Sequence, residues 1–83
     1  MVTKIVEMTR GHLILEMDGK TVKIEGEAYL RGFGSPDFVL YRNSIKHWNP
    51  PFEGIAIVDQ DRDAILLAAG DCLRKSCISF EIE

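Results

Sequence analysis

The chain has 83 residues, 46% of them hydrophobic and 28% charged, with a net charge of −3. That length makes one domain, residues 1–83, and folding buries little more than about 60% of the unfolded surface, which leaves a thin core and hardly room for a deep, water-excluding active site. The mild acidity argues against nucleic acid as a direct ligand, because phosphate contacts need clustered Lys and Arg, and is compatible with a basic protein partner.

Residues 2–8 read as a first strand, ended by Thr9, Arg10 and Gly11. The next stretch, HLILEMDGKTVKIE, sets Asp18-Gly19 between two apolar runs, a hairpin signature because both turn residues must tolerate positive φ. A two-residue turn places Leu15 opposite Val22 and Leu13 opposite Ile24. The other face then pairs Glu16 with Thr21, Ile14 with Lys23 and His12 with Glu25. One face is wholly apolar and the other largely polar, as a half-buried antiparallel pair requires.

Residues 27–31 suggest a further extended segment, and 32–36 a turn cluster with Phe33 between two glycines. Residues 37–41 (DFVLY) have strand composition. A single helical turn is expected over 43–48, before Pro50-Pro51, a pair that removes two backbone donors and stiffens the loop.

One helix is expected over 60–75, with Asp59 as N-cap, Asp61 and Asp63 near its start, and Arg74 and Lys75 in its last turn. Its apolar face holds Ile65, Leu66, Ala68, Ala69, Cys72 and Leu73. The chain closes on Ile78, Phe80 and Ile82 alternating with polar residues, a strand with one buried face. Strands, then a helix, then a strand point to an α+β fold: an antiparallel sheet of five to six strands, with the helix laid across the face of Leu13, Leu15, Val22 and Ile24.

Catalytic chemistry has little support. His12, His47, Cys72 and Cys77 come from distant segments without zinc-ligand spacing. Asp59, Asp61 and Asp63 alternate like calcium-loop ligands, but Ala64 and Gly70 stand where that loop needs Gly and Glu. Asp37, Ser44 and His47 form a trio without a motif presenting the serine or an oxyanion hole. The expectation is no enzyme, no metal and no cofactor. The first twenty residues contain acids and no long apolar run, and nothing approaches a membrane span. The cysteines make no CxxC, so a reduced, cytoplasmic chain is expected, with no membrane association.

Two features suit contact with another protein. Leu67 projects away from the apolar helix face, with Asp63 and Asp71 one turn to either side; it is either a harmless exposed leucine or an apolar anchor ringed by acids. Gly70 lies near that face and could allow close approach there. Trp48, beside His47, Asn49 and Phe52, either plugs the core from the loop or anchors an interface.

The stretches TRGHLILEMDGKTVKIEGE and GFGSPDFVLYRNSIKHWNPP, followed by the acidic helix start, resemble a family of small α+β immunity proteins from bacterial polymorphic toxin and contact-dependent growth inhibition systems. The resemblance covers nearly the whole chain and is most specific over 34–51: Gly34, Pro36, Asp37, Phe38, Val39, Tyr41, Ser44-Ile45, and Trp48 before the two prolines. The chain departs from the pattern at Phe52, where members often carry a polar residue. The resemblance implies a cytoplasmic antitoxin that binds the C-terminal domain of its toxin, in such systems frequently a basic nuclease. The expected contact residues are His47, Trp48, Asn49 and Glu53 in the loop, and Asp59, Asp63, Leu67 and Asp71 on the helix. The alternative is a small homodimeric interaction module; self-association is possible but not expected beside a toxin partner.

Overall fold

The computed structural model describes residues 3–29 and 36–83. Five strands, β1 (Thr3–Met8), β2 (His12–Met17), β3 (Lys20–Ala28), β4 (Phe38–Leu40) and β5 (Phe80–Ile82), lie in chain order in one sheet, and the helix α1 (Asp59–Lys75) packs on it. The β2–β3 hairpin has the register its sequence dictates, His12 to Glu25 through Leu15 to Val22. Asp18 (φ 51°) and Gly19 (φ 78°) supply the two positive-φ residues of the turn. Leu13, Leu15, Val22 and Ile24 are fully buried in one cluster with Ile65, Leu66, Ala69 and Leu73 of α1.

The sheet is mixed rather than wholly antiparallel. β4 and β5 run parallel, Phe38 beside Phe80 and Leu40 beside Ile82. The helix is the reason: a strand that leaves the sheet, crosses by a helix and returns beside its starting strand comes back parallel. A reciprocal clamp holds this pair, with the Asp37 N–H donating to Ser79 Oγ (2.9 Å) and the Ser79 N–H donating to the Asp37 carboxylate (3.1 Å). Residues 27 and 28 prolong β3 rather than opening a new strand, while 30–35, with most of the expected turn cluster, lie outside the described residues. The turn before the proline pair is a 3-10 turn, Arg42–Ser44, earlier than expected.

Two helix details differ from expectation. Asp59 is the first helical residue, and Val58 occupies the N-cap; Asp61 reaches back to accept the Val58 N–H at 3.3 Å. Gly70 faces inward, not toward a partner: a Cβ there would lie 2.6 Å from Phe80 Cζ, so the glycine lets α1 settle onto the β5 aromatic ring. Ile82, expected on a buried face, is 45% exposed, because β5 is the sheet's edge.

Candidate functional site

The loop between the 3-10 turn and α1 is held at many points. Ile45, Trp48 and Ile57 drop into the core along it. Asn49 docks on Thr21 twice, its N–H donating to the Thr21 carbonyl (2.9 Å) and Nδ2 to Thr21 Oγ1 (3.1 Å). His47 and Ala56 form a β-bridge that closes the loop's base, and the intervening Pro50–Pro51 bond is cis. From the helix, Arg62 Nε donates to the Ile45 carbonyl (2.9 Å), and Arg42 of the 3-10 turn pairs with Asp63. Such a loop is a preformed ridge, so a partner binding it does not bear the entropy cost of ordering it.

Trp48 is only 7% exposed, so of the two alternatives open for it, core plug or interface anchor, the fold takes the core plug. The proline-stiffened loop cannot cover this end of the sheet with regular structure, and the indole fills the space beneath it. Lys20 Nζ sits 5.5 Å from the Trp48 ring and 5.7 Å from the Phe52 ring, a cation sharing two aromatic faces. Asn49 is half-buried in its pairing with Thr21, whereas His47 and Glu53 are exposed.

On α1, Leu67 is 66% exposed, the most open of the large hydrophobic side chains described. Asp59, Asp63 and Asp71 are each paired with an arginine, Arg62, Arg42 and Arg74 respectively. Their charges are therefore partly offset, and the helix face is less negative than its sequence implies. Beside Leu67 a groove follows the flank of α1. One hollow of about 420 Å³ is lined by Met17, Ala64, Leu67 and Asp71, and an adjoining one of about 380 Å³ by Met17, Trp48, Ile55 and Ala64. Acids (Asp18, Asp61, Asp71) and lysines (Lys20, Lys75) rim the two hollows.

The two sets of expected contact residues face different ways. Leu67 and Asp71 border the groove, while His47 and Asn49 line a cavity of about 550 Å³ with Lys23 and Glu25, which project from β3 on the side away from α1. Trp48 joins the two regions, since it lines the groove while its chain neighbours line the cavity. Sequence reasoning missed Met17, Ile55 and Ala64 in the groove and Lys23 and Lys46 in the cavity. A signal existed for part of it: Ala64, Leu67 and Asp71 share a face at i, i+3 and i+7.

Asp37, Ser44 and His12, weighed above for chemistry, are occupied structurally. Asp37 clamps Ser79, 42 positions away. The Ser44 hydroxyl donates to the Tyr41 carbonyl (2.6 Å) and accepts the Glu25 N–H (2.9 Å), prolonging the edge of β3. His12 pairs with Glu7 (2.7 Å) and Thr9 rather than with its cross-strand neighbour Glu25. Among the described residues no three metal-ligating side chains converge. On the outer sheet face Tyr29 and Tyr41 both donate to Glu27 Oε2. Tyr41 is pushed above the ordinary tyrosine range chiefly by that hydrogen bond, and Tyr29 chiefly by desolvation, with the Glu27 charge adding to it.

No curated protein and no solved structure matches the chain. The model of one family, Immunity protein 74, matches residues 5–83. That span takes in every strand from Ile5 onward, the clamped loop and the whole of α1, so the chain belongs to the Immunity protein 74 family.

Proposed function

We propose that this chain is an antitoxin that binds and neutralises a cognate toxin domain, a basic nuclease, in the cytoplasm of the cell that makes both, by contact rather than catalysis and without metal or cofactor. Membership of an immunity-protein family implies a toxin partner. The observation that carries the mode of binding is Leu67: a large apolar side chain, 66% exposed, beside an apolar groove rimmed by acids and lysines. An apolar anchor in such a setting gains its energy when a partner excludes water from it. The net charge of −3 favours encounter with a basic domain. No helix described is long and apolar enough to cross a membrane.

The toxin domain encoded beside this chain, co-purified with it and assayed for nuclease activity, tests the reading. Stoichiometric binding with loss of activity is expected. Leu67→Ala should weaken binding about tenfold, mostly through faster dissociation. A wild-type chain that leaves the toxin active removes the proposal. A chain that instead runs as a Leu67-dependent dimer replaces it with self-association.

A further inference from the structure

The cavity on the outer face of the sheet has a different chemistry from the groove. Its wall holds Lys23 from β3, Lys46 and His47 from the start of the ridge, the amides of Asn43 and Asn49, and one carboxylate, Glu25. Five other described cations have partners: Arg42, Arg62 and Arg74 each hold an aspartate, Lys4 approaches Glu16, and Lys20 lies over two aromatic rings. The side chains of Lys23, Lys46 and His47 have no ion pair or hydrogen bond among the described residues, although Glu25 lines the same cavity. In an acidic chain, two unpaired lysines and an imidazole converging on one concavity, against the single carboxylate of Glu25, are an electrostatic focus of the opposite sign to the whole.

We propose that this cavity is an anion-recognition site, and that it receives an Asp or Glu side chain of the protein partner. The walls favour a carboxylate over a phosphate. A dianion would meet Glu25 inside the cavity and the net negative charge outside it, and no helix N-terminus or glycine-rich turn contributes backbone donors to the lining. One carboxylate is matched by a lysine and one further donor, from His47 or Asn43. The supports are rigid: Lys23 alternates with the fully buried Val22 and Ile24, and Lys46 and His47 sit between the buried Ile45 and Trp48. Because Trp48 lines the groove while His47 lines the cavity, a partner that grips the ridge would place an acidic side chain on one flank and an apolar one on the other.

The identity of the partner rests on the toxin-binding reading above; the chemistry of the cavity does not, and both are tested separately. The free chain is titrated with an acetylated tetraglutamate peptide, with tetralysine and with inorganic phosphate while backbone amide NMR shifts are followed. Tetraglutamate should shift Lys23, Lys46, His47 and their neighbours, tetralysine should not, and phosphate should act more weakly. The shifts should vanish in Lys23→Gln/Lys46→Gln, whose remaining spectrum reports an intact fold. No response to tetraglutamate, or an equal response to phosphate, overturns the assignment. In the second arm the same double variant should bind the toxin domain at least about tenfold more weakly than wild type. Unchanged affinity removes the toxin's carboxylate from the cavity even if the peptide binds. A toxin that fails to bind the wild-type chain counts against the antitoxin reading, and the peptide titration still decides the cavity.

Discussion

Cys77 turns through the left-handed region (φ 59°) just past Ser76, the C-cap of α1. The Ile78 N–H returns to the Leu73 carbonyl (2.9 Å) and the Cys77 N–H to the Arg74 carbonyl (3.0 Å), the two bonds of a Schellman cap. Glycine ordinarily holds that position because an L side chain there crowds the backbone. Cys77→Gly should therefore stabilise the chain by about 1 kcal/mol, less whatever the unfolded glycine gains in freedom. Urea denaturation read by tryptophan fluorescence measures it, and a lower midpoint would show that the cysteine makes a compensating contact. Neither feature was visible from composition: Cys77 carries no turn signature, and the Asp37–Ser79 clamp joins residues 42 positions apart.

At the scale of elements, α1 is designed around two neighbours. Its core stripe meets the hairpin, and Gly70 admits the Phe80 ring, over which Arg74 is stacked at 5.2 Å while also pairing with Asp71 (3.2 Å). Gly70→Ala raises helix propensity by about 1 kcal/mol, yet its Cβ would collide with Phe80, and overpacking of that kind costs about 1–3 kcal/mol. The wild-type background should therefore show little gain or a net loss, whereas in a Phe80→Ala background the same change should stabilise by about 1 kcal/mol. A double-mutant cycle from thermal or urea melts isolates the coupling; equal effects in both backgrounds would mean that the ring moves aside freely. The hairpin was legible because a two-residue turn and alternating polarity fix a register locally. The parallel β4–β5 pair was not, because its partners lie on either side of the loop and helix.

At the scale of the molecule, the accessible surface is 5387 Å². A standard interface of about 800 Å² per partner is about 15% of that, enough to take in the ridge with parts of both flanks. With the basic toxin proposed above, encounter would be governed by the overall charge as well as by the helix acids, since Asp63 and Asp71 are already paired with arginines. Asp63→Asn with Asp71→Asn removes two negative charges from a net of −3. Association with the toxin should slow several-fold at low ionic strength, and the difference should shrink once salt screens it within about 10 Å. Surface plasmon resonance at two salt concentrations measures this; a slowing independent of salt would mean that the substitutions act on the fold or on the bound state.

Amino-acid order alone determined the fold class, the hairpin and its register, the place of α1 and the face it buries, since each depends on short-range periodicity and turn chemistry. It also marked the loop and Leu67 as places where the pattern breaks. Tertiary structure decided where those breaks point. Trp48 went into the core because the stiffened loop had to be filled beneath; Gly70 met Phe80 rather than a partner; the helix acids found arginines. The groove and the cationic cavity are each assembled from segments far apart in the chain. Such surfaces depend on how elements pack, and no local pattern carries that information.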